Sequence, residues 1–182
     1  MLHKHIVYYL NIFSEVKFIQ QSKDITMQLN HYLNFKGQTE AAFLFYQSVF
    51  GGTFSNMTRY GDMPPEDGVN LTEEERTFIM HVSLPINEHT ELMGSDYMEA
   101  FCGNNAHGFI QGNNHYISIN LVNDETETRR LFNQLSVHGH VEVPLGKTFW
   151  GALFGSFTDQ FGVKWMVNCQ LDATHASQDI AL

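Results

Sequence analysis

Two histidines at similar places in two related segments are the residues of this chain best suited to chemistry. His31 opens HYLNFKGQTEAAFLFYQSVFGG, and His115 opens HYISINLVNDETETRRLFNQLSVHG, 84 positions later. An imidazole titrates near neutral pH and is a common metal ligand, so either histidine is suited to proton transfer or metal binding. A repeated segment of this length predicts two similar modules that are stable only when packed together. We expect the modules to form a shared cleft with the two histidines lining it.

In the first module, the alternation of apolar residues predicts a strand over 28–35, with His31, Leu33 and Phe35 on one face. A helix is predicted over 38–50, because Ala42, Phe45, Tyr46 and Val49 follow helical spacing. Further strands are predicted over 54–60, 76–84 and 90–95. The Pro- and Gly-rich acidic segment 61–75 is expected to be a loop over a pocket, with a short helical turn after Thr72.

The second module repeats this order. A strand over 115–121 is followed by a helix that begins at Asn123 or Asp124 and buries Thr128, Leu131, Phe132 and Leu135. Strands follow over 141–145, 149–157 and 163–169, with a turn at 159–162. The sequence therefore predicts an α+β protein of two βαβββ modules.

Composition limits the classes of partner. The chain has 182 residues, 43% of them hydrophobic and 16% charged, which is typical of a globular protein with one core. Ten basic and twenty acidic residues give a net charge of −10, which disfavours nucleic acid and anionic membranes as partners. The two cysteines form no CxxC pair, so we expect neither a disulfide framework nor a thiolate zinc site, and a cytoplasmic location.

The domain organisation predicted is an N-terminal appendage, 1–26, followed by a single domain, 27–182. That domain consists of a module at 27–96, a connecting loop at 97–113, a module at 114–170 and a short tail. The apolar centre of the appendage is too short to span a bilayer. Two interpretations of it remain: a segment before a start of translation at Met27, or a helix that packs on the domain through Ile12, Val16 and Ile19.

Three segments carry a resemblance to a known family: YLNFKGQTEAAFLFYQSVFGG, ELMGSD and VPLGKTFWGALFGSFTDQFGVKWMVN. The chain resembles the vicinal oxygen chelate superfamily of glyoxalase, bleomycin-resistance and dioxygenase proteins over residues 28–169. Within it, the chain is similar to the PhnB-like branch, whose members are often labelled demethylubiquinone methyltransferases. The resemblance implies that each module curls into a half-barrel, that the halves enclose a cleft for a divalent metal ion or an organic ligand, and that the protein is a homodimer.

The resemblance also implies metal ligands on the first and last strands of each module. His31 lies fifteen residues before Tyr46, as the family pattern requires, His115 opens the second module, and Glu91 matches the expected carboxylate. Two imidazoles and a carboxylate suit Zn²⁺, Fe²⁺, Ni²⁺ or Mn²⁺. The fourth position falls on Met166, and a thioether is a poor ligand for these ions. The alternative is that the histidines are hydrogen-bonded strand residues and Glu91 is solvated.

Four further residues are candidates for binding a ligand. His81 is suited to acid–base chemistry, Trp150 and Phe154 to stacking on an aromatic molecule, and Arg59 to binding an anion. Packing in the core or solvation at the surface are the simpler roles for each of them.

These features predict a protein that binds a small hydrophobic or aromatic molecule between its modules. The alternative is a divalent-metal-dependent lyase or dioxygenase whose substrate chelates the ion through two oxygens. Methyltransferase activity is not expected, because no strand is followed by the glycine-rich turn and downstream acid that a nucleotide-like cofactor needs.

Overall fold

The computed structural model describes residues 28–64, 69–101 and 107–171. The predicted appendage, most of the predicted tail, and parts of the acidic and connecting loops lie outside the described residues. Within the described ranges, no helix has the length and hydrophobicity that crossing a bilayer demands.

Each module forms one four-stranded mixed sheet covered by one long helix, which confirms the predicted α+β fold. The first module contains β1 (His31–Phe35), α1 (Thr39–Phe50), β2 (Asn56–Arg59), the short α2 (Glu73–Thr77), β3 (Ile79–Asn87) and β4 (Thr90–Asp96). The second contains β5 (Ile117–Val122), α3 (Glu125–Leu135), β6 (His140–Lys147), β7 (Ala152–Thr158) and β8 (Lys164–Gln170). The strand orders are β1-β4-β3-β2 and β5-β8-β7-β6.

The helices bury the faces that their periodicity predicts. In α3 the buried residues are Thr128, Leu131, Phe132 and Leu135, and the carboxylate of Asp124 caps the first turn by accepting from the Glu127 amide at 2.9 Å. In α1 Phe43 is fully buried, whereas Phe45 is only half-buried. The helix packs on its sheet so closely that a Cβ at Gly94 of β4 would lie 2.6 Å from the Phe43 ring.

Several predicted strands begin later than expected. The first three start at His31, Asn56 and Ile79, the last because Arg76 and Thr77 belong to α2, and β5 and β7 are also shifted. His115 precedes β5, because the ladder with β8 starts at Ile117 and Trp165. In a longer ladder His115 would pair with Val163, whose backbone groups are already bonded to Asp159. Likewise β7 starts at Ala152, since Gly151 has a φ of 85° in the turn after β6.

Each sheet has one face against the helices and one face turned away, which we call the open face. On β1, Leu33 and Phe35 are buried while Tyr32 and Asn34 are exposed, so Tyr32 and Asn34 lie on the open face. On β4 the Ser95 hydroxyl donates to the Asn34 side-chain oxygen at 3.1 Å, which places Ser95 there too. The open face of the first sheet therefore carries these polar residues, and the helix faces form the core.

The helix faces of both modules join in one hydrophobic core. The buried carboxylate of Asp159, in the turn between β7 and β8, accepts from the Tyr46 hydroxyl of α1 at 2.8 Å. It also accepts from the Trp165 indole at 2.8 Å and from the amides of Phe161 and Val163. Burial and the adjacent carboxylate raise the pKa of Tyr46 far above its usual value, so its hydroxyl remains a donor. This carboxylate links the two modules.

Replacing Tyr46 tests that link. We expect Tyr46→Phe to lower the free energy of unfolding by about 1–3 kcal/mol, because a buried carboxylate loses one of its donors. The matched control is Tyr32→Phe on the exposed open face, which should change it by less than about 0.5 kcal/mol. Urea unfolding measures both, and equal effects of the two substitutions would contradict the link.

Candidate functional site

Two cavities lined by residues of both modules lie at β1 and β5, the edge strands of their sheets, and we call this junction the seam. A cavity of about 210 Å³ at this seam is lined by residues from both modules, and we call it the His31 cavity. Its main walls are His31, Phe50, Leu92, Ile117, Ile119 and Trp165.

The sequence positions these walls through strand alternation and the end of a helix. His31 lies on the same side of β1 as Leu33 and Phe35, which turns its side chain toward the core side of the seam. Phe50 is the last residue of α1, and its ring centroid lies 5.9 Å from that of the buried Trp165 on β8. The cavity therefore has mainly apolar walls and one imidazole, and its lining also includes the polar residues Asn87, Thr90, Glu91, Ser118 and Asn120.

His31 is an exposed residue, and the lowered pKa of its imidazole favours the neutral form. Partial burial is the larger cause and the positive charge of His115 the smaller cause of a pKa below the usual 6.5. A neutral imidazole has one donor and one acceptor nitrogen, so His31 is suited to hydrogen-bond a polar group on an otherwise apolar ligand.

His115 lines a second cavity at the same seam, of about 190 Å³, together with Tyr32, Asn34, Gln111 and Lys164. The structure thus places both predicted histidines at the seam but against two neighbouring cavities. This second cavity is more polar than the first.

Glu91 lies on the opposite face of its sheet from His31. His31 pairs with Leu92 in the parallel ladder, and paired residues face the same side. Glu91 is therefore on the open face, where its carboxylate accepts from the Ser83 hydroxyl at 2.6 Å.

The three predicted metal ligands consequently do not converge. Over the ranges 28–64, 69–101 and 107–171, no three His, Cys, Asp or Glu side chains are grouped so that they could hold a metal ion. Met166, at the fourth predicted position, pairs with Ser118 rather than with the core-facing Ile117, and so also lies on an open face. The donor set does not fit a metal ion in this arrangement.

Two of the four ligand-binding candidates form hydrogen bonds with other residues of the chain. His81 lies on the open face of the first sheet, where its Nδ1 is 3.2 Å from the Tyr32 hydroxyl and the two rings stack. The Arg59 guanidinium donates to both carboxylate oxygens of Glu40, at 2.6 and 3.0 Å, and to the Thr77 carbonyl. Its donors are therefore largely occupied.

Trp150 and Phe154 belong to a partly exposed aromatic group beside the turn between β6 and β7. The ring centroids of Phe149 and Trp150 are 4.7 Å apart, and those of Trp150 and Phe154 are 6.4 Å apart. Neither residue lines the seam cavities, and neither does His81 or Arg59.

Sequence reasoning missed a polar cluster on the open face of the second sheet. The Glu142 carboxylate accepts from Lys164, from the Tyr116 hydroxyl and from the Thr158 hydroxyl. These bonds, that of Lys164 above all, lower the pKa of Glu142 to about 2. The Lys164 ammonium also lies 4.7 Å from the centre of the Tyr116 ring. The sequence did contain a sign of this cluster. A Tyr directly follows each His of the repeat, so strand alternation places the Tyr on the face opposite that of the His.

Comparisons with known proteins agree with this architecture. The sequence model of the Glyoxalase/Bleomycin resistance protein/Dioxygenase superfamily matches residues 28–167. Protein YjdN of Escherichia coli (strain K12) is 30% identical over 151 residues, which is 78% of this chain and 95% of that protein.

Two solved structures extend the comparison. Protein PA1353 from Pseudomonas aeruginosa is 39% identical, with a TM-score of 0.63 over 81% of this chain and 100% of that one. The PhnB protein from Bacillus cereus, for which a 3-demethylubiquinone-9 3-methyltransferase activity is proposed, is 23% identical. Its TM-score is 0.56 over 79% of this chain and 99% of that one, and at this identity it shows a shared fold alone.

Titration of His31 tests its placement at the seam. We expect NMR to give His31 a pKa below 6.5, and His115→Gln to raise that pKa because one neighbouring positive charge is removed. The control is His140→Gln on β6, which should leave the pKa of His31 unchanged. A His31 pKa that does not respond to His115→Gln would show that the two residues are not neighbours.

Proposed function

The chain belongs to the Glyoxalase/Bleomycin resistance protein/Dioxygenase superfamily, and on that basis we propose that it binds a small apolar or aromatic molecule between its two modules. The His31 cavity is the single observation that carries this proposal, because both modules contribute its walls.

The chemistry of the walls supports an apolar ligand with one polar group. Small-molecule sites are mostly apolar and contain a few polar atoms that fix orientation. Phe50, Ile117 and Trp165 supply the apolar contacts, and the neutral His31 supplies the hydrogen bond. The volume of about 210 Å³ is below the roughly 300–1,000 Å³ typical of drug-sized ligands, which favours a molecule the size of one substituted ring.

The metal-dependent lyase or dioxygenase has less support. His31 and Glu91 face opposite sides of one sheet, so one ion could not bind both without rearrangement of a strand. The methyltransferase activity proposed for the Bacillus cereus protein is not carried over, because that likeness concerns the fold.

A fluorinated phenol tests the cavity directly. We expect 4-fluorophenol to bind the full chain in a ¹⁹F NMR titration, and Ile119→Phe to weaken binding by about tenfold or more, because the larger side chain fills the space. Leu44→Phe, on the exposed side of α1, is the matched control and should leave the affinity within about twofold. Urea unfolding verifies that both variants fold, and equal affinities in the two would refute the assignment.

We also propose that two copies of the chain associate through the β6 edge. On this strand, which ends its sheet, Val141 and Val143 are 40% and 44% exposed. Next to it, Phe149 and Trp150 are 96% and 53% exposed. An exposed apolar edge strand is a surface that pairs readily with another chain.

Light scattering after gel filtration measures this association. We expect a mass of about twice 20.9 kDa for the unmodified chain, and the mass of one chain for a variant carrying Phe149→Ser and Trp150→Ser. Leu44→Ser, which removes an exposed apolar residue of α1, should leave the larger mass unchanged. A dimer that persists in the double variant would exclude this surface.

A further inference from the structure

A third cavity, of about 510 Å³, lies outside the proposed phenol-sized site, and aromatic and charged residues line it together. Phe78, Tyr97 and Phe109 line it, and they come from the end of α2, the end of β4 and the connecting loop. The rings of Tyr97 and Phe109 have centroids 5.8 Å apart and planes inclined by 52°. Phe78 is held against the backbone of Gly37, where a Cβ would lie only 3.2 Å from its ring. The volume is within the range of small-molecule sites.

The same cavity carries an excess of negative charge. Three carboxylates line it, those of Glu74, Glu75 and Glu99, against one ammonium, that of Lys36, which leaves a formal charge of −2. The Glu75 carboxylate accepts from the amide and hydroxyl of Thr72, each at 2.8 Å, which lowers the pKa of Glu75 and keeps it ionised.

Among the described residues, the carboxylates of Glu74 and Glu99 have no hydrogen-bonding or ion-pair partner. Both residues are exposed. Their negative charges therefore face solvent at the cavity and are not neutralised by ion pairs within the described residues.

We propose that this cavity binds a small organic cation, a primary or quaternary ammonium ion. The face of an aromatic ring attracts a cation, and such contacts contribute about 0.5–2 kcal/mol each. Carboxylates alone attract any cation, whereas aromatic walls favour one that carries alkyl groups. Carboxylates and aromatic residues together favour an ammonium ion with an apolar surface. This proposed site is separate from the His31 cavity at the seam.

Choline and its neutral analogue 3,3-dimethylbutan-1-ol separate the contributions of charge and shape. The two are titrated into the full chain by NMR, with ionic strength held constant with sodium chloride. We expect choline to bind in the millimolar range with shifts at Tyr97 and Phe109, and the neutral alcohol to bind at least about tenfold more weakly. Equal affinities for the two, or choline shifts confined to another surface, would overturn the proposal.

Substitutions with matched controls locate the site. Glu99→Gln should weaken choline binding about threefold and Lys36→Gln should tighten it about twofold, because they change the local charge in opposite directions. Glu88→Gln, in the exposed turn between β3 and β4, removes the same charge elsewhere and should leave the affinity unchanged. Tyr97→Leu should weaken it about fivefold. Equal effects of Glu99→Gln and Glu88→Gln would show that only net charge matters and would overturn the site, whether or not Tyr97→Leu folds.

Discussion

The buried carboxylate of Asp159 is the interaction on which the arrangement of the two modules depends. One of its oxygens accepts from Tyr46 of the first module and Trp165 of the second, and the other holds the turn between β7 and β8. A buried carboxylate is costly unless its hydrogen bonds are satisfied, so four donors make one geometry of the modules strongly preferred. Asp96 has a related role within the first module, where it accepts from Thr39 of α1 and Ile79 of β3.

The site at the seam follows from this link. Because Tyr46 and Trp165 are fixed against one carboxylate, α1 and β8 lie side by side, and the edge strands β1 and β5 are brought together. Phe50, one turn after Tyr46, then reaches Trp165 and forms a wall of the His31 cavity. The cavity is thus a consequence of how the modules pack, and neither module forms it alone.

Local features were predictable from the sequence because they depend on neighbouring residues. The cap of α3 at Asp124 and its buried stripe required only the spacing of polar and apolar residues. The order of strands followed from the same alternation. The link between Tyr46 and Asp159 was not predictable, since it joins residues 113 positions apart and the turn alone gives no signal of its partner.

The histidines show what the sequence alone could not decide. Both lie at the junction of the modules, but whether a residue faces the core or the open side depends on strand register, and a shift of one residue exchanges the faces. Leu33 and Phe35 fix that register, so Tyr32 lies on the open face and His31 does not. Tyr32 and Tyr116, the residues that follow the two histidines, are consequently among those that form hydrogen bonds on the open faces.

A crystal structure of the chain soaked with 4-fluorophenol tests the central claim most directly. The account predicts density for the ring between Ile119 and Trp165, with its hydroxyl within hydrogen-bond distance of His31. Density for the ligand on an open face, beside Tyr32 and His81 or beside Glu142, with the His31 cavity empty, would contradict it.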